Sequence, residues 1–268
     1  MPVFSAAEAA LNYRLEGARG DWLVLVHEIG GSLETWTAVV PALARRFRVL
    51  RYDQRGAGGS ARIAGDFRIE TQVDDLRALI TQVAASPCHI AGVAIGAAIA
   101  VRLAATELEL VKSLVLACPA PGVSAARIDY LEQRAAGVER DGMAAVAENS
   151  LANSYPEELR EPEIFRAYRE RFLANHPRSY AAINRGFARF DATPDLARLR
   201  CPALVLAGTK DRLRPPDFVR GVAAQIPGAN YAEIESGHIM PVQKPDAMIE
   251  AMLEFYDSQA GATAAKTP

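Results

Sequence analysis

The stretch His89-Ile90-Ala91-Gly92-Val93-Ala94-Ile95-Gly96-Ala97-Ala98-Ile99-Ala100 reads as a buried strand that turns sharply into a helix between two glycines. Gly92 and Gly96 stand at the spacing of a G-x-S-x-G turn. In such a turn the missing Cβ atoms let strand and helix pass closely and push the middle residue out over the edge of a sheet. Here the middle residue is Ala94, which carries no nucleophile.

Upstream, Trp22 to His27 is a continuous apolar run with β-branched residues, as in a strand buried on both faces of a parallel sheet, and it empties into Glu28-Ile29-Gly30-Gly31-Ser32. Before it, Ala10 to Gly17 alternates apolar and polar residues like an edge or antiparallel strand. A helix is predicted over Trp36 to Arg46, a strand over Arg48 to Asp53, a glycine-rich turn over Gln54 to Ser60, and a helix with one apolar stripe over Thr71 to Ala85. Downstream, Ala97 to Ala105 is a helix of small residues able to lie close under the sheet, and Ser113 to Cys118 is the next strand.

From Val123 to Ala192 the strand signal stops, and Arg-, Glu- and Ala-rich segments of helical spacing follow, punctuated by Pro156, Pro162 and Pro177. Strands return at Ala203 to Gly208 and Asn230 to Glu235, with helices over Asp217 to Gln225 and Asp246 to Tyr256. The expected organisation is an α/β core of residues 1–122 and 193–257, a helical insertion over 123–192, and a disordered polar tail over 258–268.

Composition narrows the function classes. Half the residues are hydrophobic, 23% are charged and the formal net charge is -2, which argues against both disorder and a polyanion-binding surface. Nucleic acid is therefore not an expected partner. No basic n-region precedes an apolar core at the start of the sequence, and no apolar run approaches the ~20 residues that span a bilayer, so a soluble, cytoplasmic protein with no membrane partner is predicted. The three cysteines, Cys88, Cys118 and Cys201, flank apolar strand-like runs and read as buried free thiols. His27, at the end of a buried strand, reads as a structural residue hydrogen-bonded near the following loop, and His89 and His176 lack ligand-like spacing to another histidine or a cysteine pair, so no metal is expected, nor any cofactor.

Four segments fall at predicted C-terminal ends of strands: the turn after Trp22–His27, the Ala94 turn, Gly208-Thr209-Lys210-Asp211, and Ser236-Gly237-His238. Ligand sites of open α/β sheets form at that edge. With these segments and Arg48-Val49-Leu50-Arg51-Tyr52-Asp53-Gln54-Arg55-Gly56, the chain resembles the α/β-hydrolase family over nearly its whole length. Within it, the sequence is most similar to the small ring-opening hydrolases of aromatic degradation, particularly 3-oxoadipate enol-lactonases. The resemblance implies an α/β-hydrolase fold with a helical cap. It also implies that Asp211 orients His238, that His238 is the general base, and that the amides of Ile95 and of Glu28 or Ile29 form an oxyanion hole.

Two positions depart from that pattern. Ala94 stands where the family carries serine, and Glu28 where it often carries glycine. Glu28 is a candidate acid or base beside the oxyanion loop; a side chain that points to solvent or caps an amide is the alternative. Losing an elbow serine costs a serine hydrolase ~10⁶ in rate. Water activated by His238 would supply ~10²–10⁴ and an oxyanion hole a further ~10²–10³, enough for an activated substrate such as an enol lactone or a vinylogous diketone.

Three readings stay open: an enzyme that forms no acyl-enzyme, by hydrolysis or by lyase-type C–C cleavage; a serine hydrolase inactivated by replacement of its serine; and a non-catalytic binding protein. The substrate of the first is expected to be a small molecule, carboxylated if one of the insertion's arginines, Arg127 and Arg134 among them, serves as its fork. Trp36, with Tyr155, Phe165, Phe172, Tyr180 and Phe187, is a candidate pocket-lining residue.

Overall fold

The computed structural model describes residues 3–6 and 9–264, with side chains from 9 to 259. Eight strands form one sheet: β1 (Val3–Ala6), β2 (Ala9–Glu16), β3 (Trp22–Val26), β4 (Arg48–Tyr52), β5 (Cys88–Val93), β6 (Val111–Ala117), β7 (Ala203–Gly208) and β8 (Asn230–Ile234). Around them lie α1 (Val40–Leu43), α2 (Ile69–Leu79), α3 (Ile95–Thr106), α4 (Ala125–Asp141), α5 (Ala144–Ser154), α6 (Pro162–Leu173), α7 (Pro177–Ala188), α8 (Pro216–Ala223), α9 (Met240–Gln243) and α10 (Pro245–Ala264).

The strand order is β1-β2-β4-β3-β5-β6-β7-β8, antiparallel from β1 to β4 and parallel from there on. This is the mostly parallel sheet of an α/β-hydrolase fold, covered by helices on both faces. Alternation along each strand sorts its side chains between those faces. Val24 and Val26 join Ile90, Leu114 and Val205 under α2, α3 and α8. Leu23 and Leu25 join Val93, Val115 and Leu206 under α1 and α10. Because β3 is followed by β4 on one side and by β5 on the other, the strand order reverses at β3, and a crevice opens there between the loops leaving β3 and β5.

Between β6 and β7 the chain is helical, α4 to α7, with Pro162 and Pro177 each in the first turn of its helix, where the missing N–H costs nothing. These helices have their own apolar cluster, in which Leu151, Tyr155, Tyr168, Phe172 and Tyr180 meet Ile239 and Val242.

Several boundaries differ from the sequence reading. The single helix expected over 36–46 is a 3₁₀ turn, Leu33–Trp36, followed by the one-turn α1, because Pro41 can stand only at a helix start. Ala10–Gly17 is antiparallel as expected, yet β1 covers its outer side. The terminal helix does not stop at Tyr256. Residues 258–264, expected in a disordered tail, continue α10, and 265–268 lie outside the described residues.

The turn at Ala94 is tightly packed on both sides. Ala94 has φ 53 and ψ -113, backbone that L residues rarely adopt and that costs of order 1–3 kcal/mol. It is over-determined by its neighbours: Ala94 N–H donates to the Ala117 carbonyl at 3.0 Å, and the Ala94 carbonyl accepts from Ala98 and Ala120. A Cβ at Gly96 would stand 2.3 Å from the Val26 oxygen and 2.6 Å from that of His27, and one at Gly92 would stand 2.5 Å from the Ala97 nitrogen. Both obstacles are backbone and cannot swing aside. Gly96→Ala should therefore destabilise the protein by about 3 kcal/mol or more in a denaturant titration. A change under about 0.5 kcal/mol would contradict this account of the turn.

Candidate active site

Ala94, the residue at the tip, is 6% exposed and lines a cavity with about 720 Å³ of empty space including its mouth. Ile29, Ile95, Glu28 and His238 line the same cavity. The elements predicted to converge at the strand ends therefore meet. Ile95 is the first residue of α3, so its N–H has no partner within the helix and stands at the positive end of the helix dipole.

His238 and Asp211 come from the loops after β8 and β7. His238 Nδ1 and Asp211 Oδ2 are 2.7 Å apart, with side chains 9% and 0% exposed. With Nδ1–H donating to the carboxylate, Nε2 is left with its lone pair. The other carboxylate oxygen, Asp211 Oδ1, accepts from the amides of Leu213 at 2.8 Å and Arg214 at 3.0 Å. Burial alone would raise the Asp211 pKa, but the charge and hydrogen bond of His238 and the two amides outweigh it and hold the group below its ordinary value.

The histidine loop is also tied to the helical segment. His238 N–H donates to the Ser154 carbonyl at 3.1 Å, and Gln243 Nε2 donates to that same oxygen while its Oε1 accepts from Ile239 N–H.

Glu28 does not point to solvent. It is 2% exposed, and its Oε1 accepts from the Thr35 hydroxyl at 3.1 Å and the Tyr168 hydroxyl at 3.0 Å. Gly31 makes room for it, since a Cβ there would stand 2.3 Å from Oε1. Burial and the Glu28 carboxylate together push the Tyr168 hydroxyl well above its ordinary pKa, so it remains a donor. His27, by contrast, belongs to the scaffold: Gln54 N–H donates to its Nε2 at 3.0 Å, which leaves Nδ1–H to donate to the Glu28 carbonyl at 2.7 Å. Asp53 likewise ties Asn12, Leu33 N–H and Gly59 N–H into the loop architecture.

Trp36 is not in the cavity. It is 0% exposed and packs in the core beneath α1 and α10, with Leu25, Val39 and Met240. The turn that carries it directs its ring inward, so the expectation that it contacts substrate is corrected. Of the aromatic candidates, Phe172 and Phe187 line the cavity. Among the insertion's arginines, Arg127 and Arg134 do so, whereas Arg140, Arg169, Arg185 and Arg189 pair with carboxylates outside it.

Arg214, Tyr168 and Asn184 are among the cavity residues that the sequence did not single out, and Cys118, read there only as a buried thiol, lies beside the histidine pair. Cys118, Asp211 and His238 each offer one ligand-type atom within 4.8 Å of the others. Sequence spacing hides this group because its members come from three strand ends. Burial and the charge of Asp211 push the Cys118 thiol well above its ordinary pKa, and Asp211 already occupies His238 Nδ1. These atoms fit a hydrogen-bonded cluster better than a metal centre, which needs a thiolate and a free imidazole nitrogen.

Comparisons with known proteins agree with the fold. A family model described as alpha/beta hydrolase fold matches residues 21–245. A candidate carbamate hydrolase, RutD, of Azorhizobium caulinodans is 29% identical over 95% of this chain and 98% of its own. The 3-oxoadipate enol-lactonase 2 of Acinetobacter baylyi is 25% identical over 96% of this chain and 100% of its own. The crystal structure of an enol-lactonase from Burkholderia xenovorans superposes with a TM-score of 0.91 at 28% identity, covering 96% of this chain and 100% of that one. The chain belongs to the alpha/beta hydrolase fold family.

Proposed function

We propose that this protein is a hydrolase acting on a small, activated, carboxylated carbonyl compound of the enol-lactone type, and that it does so without an acyl-enzyme. The observation that carries this reading is the buried His238–Asp211 pair at 2.7 Å, on a cavity whose wall holds Ala94 and Ile95 but no nucleophilic side chain at the elbow. Enol-lactonase and carbamate hydrolase relatives support hydrolysis of a small substrate. Residues 123–192 act as its cap over the core of 1–122 and 193–257.

In this mechanism His238 Nε2 takes a proton from a water held where a serine hydroxyl would stand, and that water's oxygen bonds to the substrate carbonyl carbon. Charge moves to the carbonyl oxygen, where the amides of Ile95 and of Glu28 or Ile29 stabilise it. The tetrahedral adduct then expels the ring oxygen, which takes the proton back from His238. Asp211 keeps the imidazole in the tautomer this requires and stabilises the transient imidazolium. Glu28, on the cavity wall, is the second candidate acid or base. An enol leaving group suits so modest a site, because it departs without strong acid assistance.

One observation favours a second reading, a serine hydrolase whose serine has been replaced. The elbow keeps its strained φ of 53 although its tip carries only a methyl.

Steady-state hydrolysis of a panel of carboxylated enol esters and lactones separates the readings. His238→Ala should lower kcat/KM by about 10²–10⁴, and Ala94→Ser should not raise it. A gain of several orders on introducing serine would replace this proposal with the second reading. No saturable turnover, with no effect of His238→Ala, would mark a binding protein instead.

The Asp211 pair also predicts an acid limb. Because its folded-state pKa lies below the ordinary 3.8, the stability it contributes is present above that value and disappears as pH falls through the folded value. Thermal melts from pH 5 to 2.5 should show the native chain losing more stability than Asp211→Asn, whereas parallel curves would contradict the pairing.

A further inference from the structure

Residues that line the cavity carry buried polar atoms that bond to nothing in the protein. Arg214, 8% exposed, donates Nη1 to the Leu213 carbonyl at 2.8 Å, while its Nε has no partner. Arg134 gives Nη2 to the Tyr180 hydroxyl, and its buried Nε is also unpartnered. Two acceptors are likewise unpartnered, Glu28 Oε2 and Asn184 Oδ1, on residues 2% and 0% exposed. Asn184 donates Nδ2 to the Tyr180 carbonyl at 2.7 Å, which identifies Oδ1 as the atom left open. All four residues line the one cavity. Buried polar groups cost stability when left unbonded, and their convergence on one space is the mark of a site completed by what it binds.

The charges specify the ligand further. Arg127, Arg134 and Arg214 line the cavity, and among the described residues none of them forms an ion pair with a carboxylate. The carboxylates nearby are Glu28 and Asp211, and the latter is committed to His238. Burial, and then repulsion from Arg127, push the Arg214 pKa down to about 10, as expected for cations lacking a counter-ion. Glu28 has two donors on Oε1 and none on Oε2, the atom that a donor on the ligand would complete.

We infer that the cavity binds a small carboxylate that also carries an O–H or N–H donor, the carboxylate in the forks of Arg214 and Arg134 and the donor on Glu28 Oε2 or Asn184 Oδ1. This rests on the reading of this cavity as the substrate site. It makes Glu28 a specificity residue that separates hydroxy- or amino-substituted acids from plain ones, and it excludes neutral esters as good ligands.

Equilibrium binding of three probes without a hydrolysable bond tests this independently of turnover: 3-hydroxypropanoate, propanoate and propane-1,3-diol, titrated calorimetrically into the native chain. The hydroxy acid should bind about tenfold more tightly than propanoate, since its extra bond ends on a charged acceptor, and the diol should show no binding.

Arg134→Met and Arg214→Met should each weaken both acids by about thirtyfold or more. Arg134 lies away from the Asp211 loop, so its variant carries the test if Arg214→Met does not fold. In Glu28→Gln, the Tyr168 and Thr35 hydroxyls hold the amide oxygen and turn the NH₂ toward the cavity. The hydroxy acid's advantage should then shrink to about threefold or less while propanoate binding persists. Equal binding of the two acids by the native chain, undiminished binding by Arg134→Met, or no binding of either acid would overturn the inference.

Discussion

Gly96 passes beneath the carbonyls of Val26 and His27 at a distance that leaves no room for a methyl group. The cavity edge is built on that contact. It presses the start of α3 against the end of β3, so the amide of Ile95 and the loop carrying Glu28 and Ile29 share one rim. The same closeness forces Ala94 into strained backbone, held by hydrogen bonds to the strand end at Ala117 and to Ala120. A sheet that reverses its strand order beside β3 supplies the crevice, and the loops after β7 and β8 bring Asp211 and His238 to it. Fold and site are thus consequences of one packing constraint.

Around that rim the balance of polar groups is uneven. The His238–Asp211 pair is fully satisfied on the Asp211 side, by the imidazole and two backbone amides, while residues lining the cavity hold arginine nitrogens and carboxylate and amide oxygens with no partner. A buried group of this kind is expensive unless a ligand completes it. The helical segment takes part directly: Tyr168 orients Glu28, Ser154 holds the histidine loop, and Phe172 lies so close to Gly30 that a Cβ there would stand 2.7 Å from its ring. Movement of those helices would alter the base and the oxyanion loop together.

Much of this was legible in the sequence because it is periodic or local. Two-faced apolar runs mark buried parallel strands, the Gly92–Gly96 spacing marks the elbow, and the resemblance to the α/β-hydrolase family points to Asp211 and His238 after the last two strands. What stayed hidden depends on side-chain direction. Trp36 looks like a pocket aromatic by position, but its turn faces the core. Arg214 follows Asp211 by three residues, and only the turn made when Asp211 accepts its amide buries it toward the cavity. Glu28 had two equal readings until Tyr168, 140 residues away, supplied its partner. The continuation of α10 past Tyr256 was missed because small polar residues carry no apolar stripe to announce a helix.

The central claim is that His238 delivers water to the carbonyl with no covalent intermediate at position 94. Rapid-quench turnover of an activated lactone that carries a carboxylate, such as 2-oxochroman-4-carboxylate, with intact-protein mass read at each time point, tests it most directly. The account predicts turnover without a pre-steady-state burst and with the protein mass unchanged throughout. A burst accompanied by an acyl adduct on the chain would contradict it.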